Sequence, residues 1–179
     1  MKSLICIISL LFFFTINKSM ELFDFVKDSN LSSWYVVDDV VMGGRSDGNF
    51  EINEDGFGVF YGDVSLENNG GFSSLRYRFE PKKVSDFKSC KIRLKGDGKR
   101  YQFRVKTDKN DRHSYIHYFE TTGDWETIEI PLNEMYPTFR GRELEMPNYP
   151  VEQLEEIAFL IANAKAESFK IEFDWIVLE

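Results

Sequence analysis

The sequence predicts an all-β protein, a β-sandwich or jelly roll carrying one or two short helices. Three observations predict it. Apolar and polar residues alternate with a period of two in one segment after another, the pattern of half-buried antiparallel strands. Glycine- and asparagine-rich turn signals separate those segments. Only two stretches have helical character, so about ten short strands supply nearly all the regular structure.

Taken in chain order, residues 20–27 read as the first short helix. Phe50-Glu51-Ile52 and the apolar residues 57–61 flank Asn53-Glu54-Asp55-Gly56, a hairpin signal because its glycine accepts positive φ. Asn68-Asn69-Gly70-Gly71 is a second such signal, followed by Leu75, Tyr77 and Phe79 alternating with Arg76 and Arg78. Cys90, Ile92 and Leu94 alternate with Lys91, Arg93 and Lys95, which makes Cys90 a small core residue. A third tight hairpin signal, Gly96-Asp97-Gly98, leads into Tyr101, Phe103 and Val105 alternating with Gln102, Arg104 and Lys106. Beyond Thr122-Gly123-Asp124, Trp125 opens a strand through Ile128, Ile130 and Leu132. Residues 137–150 are the longest irregular stretch and are expected to form a loop packed on the sandwich. Residues 150–156 read as the second helix, with Pro150 near its start. The last strand sets Phe169, Ile171, Phe173, Trp175 and Val177 against Lys170, Glu172 and Asp174.

Composition bounds the function without naming it. The chain has 179 residues, 22 Lys+Arg against 30 Asp+Glu and a net charge of −8. That length suits one domain with a core of its own, and 16% aromatic residues argue against disorder. The acidity disfavours general nucleic-acid or anionic-membrane binding, which needs a basic face. Two cysteines and two histidines leave little material for a structural zinc site.

The N-terminal segment differs from the rest. Lys2 precedes an apolar run over residues 4–14 in which Ser9 is the one polar member, the pattern of a secretory signal peptide. The run is short of the ~20 apolar residues that span a membrane. The first arginine is Arg45, which argues against an Arg-rich mitochondrial presequence. The expected organisation is a leader at 1–19 and a single domain at 20–179. The product would be periplasmic or secreted, or cytoplasmic or membrane-associated if the leader is kept. Removing the leader deletes Lys2 and Lys18, making the remainder more acidic, and deletes Cys6, leaving Cys90 alone. Cys6 lies inside the apolar run rather than after it, which disfavours a lipid anchor. Asn30-Leu31-Ser32 fits a glycosylation acceptor, relevant only in a eukaryotic secretory pathway.

Catalytic signatures are weak. Asp38 and Asp39 are adjacent on a strand, so their side chains point to opposite faces and do not make the carboxylate pair of a glycosidase. Gly43-Gly44-Arg45-Ser46 lacks the following helix that a phosphate-cradling loop requires, and reads as a bulge or tight turn. His113 and His117 would stand about 13 Å apart along a strand, too far for one metal, and read as surface residues. Asp108-Lys109-Asn110-Asp111 lacks the spacing of a calcium loop. No serine or cysteine sits in a nucleophile motif.

One long stretch is specific. Trp34-Tyr35-Val36-Val37-Asp38-Asp39-Val40-Val41-Met42-Gly43-Gly44-Arg45-Ser46 is followed by Phe60-x-Gly62-x-Val64-Ser65-Leu66-Glu67-Asn68-Asn69-Gly70-Gly71-Phe72-x-Ser74-x-Arg76. Gly96-Asp97-Gly98-x-Arg100-Tyr101, Trp125 with Ile130-Pro131-Leu132, and Phe139-Arg140-Gly141-Arg142 continue it. These blocks closely resemble the complex I intermediate-associated protein family, whose mitochondrial members assist assembly of respiratory NADH:ubiquinone oxidoreductase. The resemblance implies a jelly roll of the galactose-binding-domain-like type, with no catalytic activity and no cofactor. The family's Asp-Asp-Val-Val-Met-Gly-Gly falls on residues 38–44, its Gly-Gly-Phe on 70–72 and its Arg-Gly on 140–141.

The candidate site drawn from these blocks comprises Trp34, Asp38, Asp39, Met42, Gly43, Gly44, Ser46, Phe72, Arg76, Arg104 and Arg140. Trp34 and Phe72 are large enough to anchor loops or to stack on a sugar or peptide. Arg76, Arg104 and Arg140 are expected to pair with Asp38 and Asp39 in a polar patch on one sheet face. The alternative is that these charges merely tie strands and the long loop together. The expected function is a non-catalytic protein-binding module of assembly-factor type, its partner a respiratory or envelope complex subunit. The second expectation is an exported carbohydrate-binding module.

Overall fold

A computed structural model describes residues 18–179. The leader expected over 1–19 falls, up to residue 17, outside the described residues. Thirteen strands form two antiparallel sheets among the described residues. The first sheet contains β1 (Met20–Asp24), β3 (Asp47–Ile52), β4 (Gly58–Val64), β6 (Ser89–Lys95), β9 (Trp125–Pro131) and β13 (Glu167–Leu178). Its order is β3-β4-β13-β6-β9, with β1 also paired to β13. The second sheet contains β2 (Trp34–Asp38), β5 (Ser73–Lys83), β7 (Arg100–Lys106), β8 (Ser114–Glu120), β10 (Tyr136–Phe139), β11 (Arg142–Glu143) and β12 (Gln153–Ile161). Its order is β11-β10-β8-β7-β12-β5-β2. Three short 3-10 turns, Asp39–Met42, Glu67–Asn69 and Leu132–Glu134, supply the helical structure. No helix among the described residues is long and apolar enough to cross a membrane.

The inner faces meet in an aromatic core, as the alternating pattern requires. Phe60, Ile92, Leu94, Ile130, Ile171 and Phe173 from one sheet, and Leu75, Phe103, Val105, Ile157, Phe159 and Ile161 from the other, are buried. Phe159 and Phe173 touch across the two sheets with ring centroids 4.4 Å apart. Cys90 lies wholly inside, and burial pushes its thiol pKa up, so it packs rather than reacts.

Several expectations need correction. Neither predicted helix forms: residues 20–24 are strand β1, Met20 pairing with Leu178, and residues 153–156 begin β12, Gln153 pairing with Lys83. Both depend on partners distant in sequence, so local composition misleads. The period of two does not run unbroken through β13. A register shift between Phe173 and Trp175 turns Ile176 and Leu178 inward, both fully buried, and leaves Trp175 and Val177 half-buried. Gly96-Asp97-Gly98 and residues 68–71 are not hairpins; each carries the chain from one sheet to the other. His113 and His117 are half-buried, not on the surface. Residues 137–150 are not all loop, since β10 and β11 extend the second sheet.

Candidate functional site

The outer face of the seven-stranded sheet carries a cleft of about 620 Å³. Register builds it in rows. In one row Arg76 on β5 and Arg104 on β7 both pair with Ala158 on β12, and Arg104 pairs in turn with Ile116 on β8, itself opposite Tyr136 on β10. The next row holds Val37, Ser74, Leu160, Gln102 and Tyr118. The third holds Arg78, Glu156 and Lys106. Residues two apart on a strand share a face, so Gln102, Arg104 and Lys106 line the cleft together.

Loops complete the walls. Gly70, Gly71 and Phe72 form one side, and Phe139, Arg140 and Gly141 the other. Arg140 and Gly141 have φ of 50° and 76° and join the paired residues Phe139 and Arg142. This is the backbone of a two-residue type I′ turn, and it holds Arg140 at the rim.

The cleft is basic although the chain is acidic. Arg76, Arg104, Lys106, Arg112 and Arg140 line it, against the single carboxylate Glu143. Arg104 donates to the neutral Oε1 of Gln102 at 2.9 Å, and Gln102 Nε2 donates to the Tyr118 hydroxyl at 3.1 Å. Burial, with the Arg76 charge adding to it, pulls the Arg104 pKa down to about 10. Burial likewise pushes Lys106 down; its Nζ donates to the Asp111 carbonyl oxygen. Glu156, buried beneath, accepts from Arg78 Nε at 2.6 Å and from the Tyr35 hydroxyl at 3.1 Å, while Arg76 Nη1 stands 3.8 Å away. Burial and the Glu156 charge raise the Tyr35 pKa to about 12. Guanidinium groups also cover the aromatics: Arg100 lies 4.6 Å from the Tyr118 ring centroid, and Arg112 and Arg140 lie 4.9 and 5.4 Å from that of Phe139.

The residues 38–46 do something else. The Asp39 carboxylate is fully buried and accepts from Ser46 N at 3.0 Å, Ser46 Oγ at 2.5 Å, Gly71 N at 2.5 Å and Phe72 N at 3.2 Å. A Cβ on Gly44 would lie 2.2 Å from Asp39 Oδ1, and one on Gly70 2.5 Å from Oδ2, so glycine is required at both positions. Ser46 Oγ also accepts from Ser65 N at 3.0 Å. Asp39 thus ties the 43–46, 65 and 70–72 segments together, and so fixes the wall of the cleft.

Of the sequence-predicted residues, Phe72, Arg76, Arg104 and Arg140 meet in the cleft. Asp38, Asp39, Gly44 and Ser46 do not line it. Asp38 Oδ2 accepts from Gly48 N at 3.0 Å, and no arginine–Asp38 or arginine–Asp39 ion pair forms among the described residues. The expected pairing is therefore corrected: both carboxylates serve backbone N–H groups. Trp34 is not free to stack on a ligand; it is buried and lies 4.6 Å from Tyr77, nearly parallel to it. Gly43, with φ of 90°, terminates the Asp39–Met42 turn, outside the cleft, and Met42 belongs to that turn. The sequence reading missed Lys106, Arg112, Tyr118, Tyr136 and Phe139. The polar side of β7 was the available signal, since Gln102, Arg104 and Lys106 must share a face.

Residues 23–173 match the family model described as complex I intermediate-associated protein 30. The chain belongs to this family. Two relatives named "Complex I intermediate-associated protein 30, mitochondrial" come from Drosophila melanogaster and Mus musculus. They are 24% and 23% identical over 88% and 85% of this chain. The chain spans 62% and 53% of their lengths. Among solved structures, a family 11 carbohydrate-binding module from Clostridium thermocellum, in complex with a β-1,3-1,4-mixed-linked tetrasaccharide, aligns with TM-score 0.64 at 16% identity. It covers 89% of this chain and 94% of that one. An exo-β-agarase aligns with TM-score 0.56 at 15% identity over 88% of this chain and 24% of the enzyme. This complex I intermediate-associated protein 30 family member is thus a jelly-roll sandwich of the galactose-binding-domain-like type.

Proposed function

We propose that this chain is a non-catalytic binding module of assembly-factor type that holds a subunit of a respiratory complex in the cleft of its seven-stranded sheet. The observation that carries the reading is the cleft itself, built from registered side chains and walled by the loops of two of the family's sequence blocks, 70–72 and 140–141. Family membership supports a protein partner. Glu143 is the single carboxylate of the lining, whereas glycoside hydrolysis uses two. The apolar run behind Lys2 supports export of the product.

The test is site-specific photo-crosslinking in native membranes. A photoreactive residue at Tyr136 should capture a defined respiratory or envelope subunit, and one at Tyr61 on the opposite sheet should not. Repeated absence of a product from Tyr136, or equal products from both sites, would sink the reading.

A second reading, a carbohydrate-binding module, is favoured by Tyr118 and Tyr136 in the lining. Binding of a mixed-linked β-glucan oligosaccharide that is lost in Tyr118→Ala would support it, and failure to bind neutral or acidic glycans would remove it.

A further inference from the structure

The cleft carries positive charge that the described residues neutralise only in part. Arg104, Lys106, Arg112 and Arg140 have no ion-pair partner there, and Arg76 has only the 3.8 Å approach to Glu156. Arg76 Nε is buried without a hydrogen-bond partner among the described residues. Leaving a buried cationic donor unsatisfied is costly, and placing two like charges together adds to the cost. Such an arrangement costs stability in the isolated fold and is relieved by an anion.

The row Arg76–Ala158–Arg104 has the shape for one. Both arginines register with Ala158, so their Cα atoms stand about 10 Å apart, two strand spacings. The two guanidinium groups, both in the lining, present forked donors to a planar carboxylate. A guanidinium already lies over the ring of Tyr118 and over that of Phe139, leaving less aromatic surface for a neutral sugar to stack on.

We propose that the cleft receives an acidic, extended segment of the partner protein, one of whose Asp or Glu carboxylates seats between Arg76 and Arg104. The proposal rests on the reading of the cleft as the partner-binding site. A second carboxylate two residues along an extended segment lies roughly 7 Å away, within the span of the cations that continue the cleft, Lys106, Arg112 and Arg140. Association is therefore steered by charge and weakens as salt rises.

The probe is a short synthetic peptide alternating Glu and Thr, titrated into the full chain by fluorescence anisotropy. Its Gln–Thr counterpart and oligogalacturonate are run in parallel. The Glu peptide should bind at least about tenfold more tightly than the Gln peptide, and its affinity should fall from low to physiological salt. Arg104→Gln should weaken it by about tenfold, and Lys170→Gln on the other sheet should leave it unchanged. Comparison of the two peptides needs no variant, so it decides the matter even if Arg104→Gln fails to fold. Equal binding of the two peptides, or oligogalacturonate bound while the Glu peptide is ignored, overturns the proposal. If Tyr136 still crosslinks to a respiratory subunit in that case, the acidic segment is wrong and the assembly reading stands. If the peptide binds as expected but no subunit is captured, the anion site stands and the assembly reading falls.

Discussion

Ser46, Gly71 and Phe72 reach the Asp39 carboxylate from two loops separated in sequence by β3 and β4. Burial alone would raise the pKa of this group. Hydrogen bonds from the Ser46 hydroxyl and from the N–H groups of Gly71, Ser46 and Phe72 outweigh it and hold the carboxyl below its ordinary value. The folded group is the stronger acid. Its contribution to stability is fully present above the unfolded pKa of about 3.9 and is lost as pH falls through the lower folded value. Asp39→Asn keeps the shape but removes the charge and sets an amide donor against N–H groups. It should cost about 2–3 kcal/mol at neutral pH, and the gap to the wild type should close as both are titrated below about pH 4. Urea unfolding across that range reads both effects, and a variant of wild-type stability at pH 7 would contradict the cage. Because Phe72 belongs to the cleft wall, the same variant should also weaken binding there.

The elements show where sequence alone sufficed. Strands β5, β6, β7 and β9 follow from alternation, and so does the outward placement of Arg76 and Arg104. Bulges escape such reading, because one extra residue inverts the inward set while leaving composition untouched. At β13 the unbroken pattern would bury Val177 and expose Ile176, the reverse of what is found. Ile176→Ala should therefore cost about 2–5 kcal/mol, and Val177→Ala no more than about 1 kcal/mol. Calorimetry of the pair distinguishes the two registers, and the opposite ranking would refute the bulge. Strand β1 escaped for another reason. Phe23 and Phe25 pack on Trp34, and Phe25 also on Phe173, a contact that residues 20–27 alone do not announce. The cleft was half legible: Arg76 and Arg104 stand on alternating strands, but Tyr118, Tyr136 and Phe139 enter it only through the pairing of β8 with β10.

At the scale of the whole molecule, charge is sorted by surface. A chain of net charge −8 gathers Arg76, Arg104, Lys106, Arg112 and Arg140 on one sheet. An acidic partner would thus be repelled by most of the surface and drawn to one face. The proposed export can be tested at the N-terminal segment. Export predicts that protein purified from fractionated cells begins near residue 20 by mass spectrometry, outside the cytoplasm. An intact N-terminus in a cytoplasmic fraction would overturn it.

Strand β13 has one further consequence. It is the partner of β1, of β4 and of β6, so three strands synthesised earlier wait for residues 167–178 before their sheet can exist. During translation those twelve residues leave the ribosome after every other described strand. Until then the nascent chain carries open strand edges, which are prone to pair with other chains. The export proposed above would draw on that late closure, since a sheet not yet closed can still be threaded through a membrane pore.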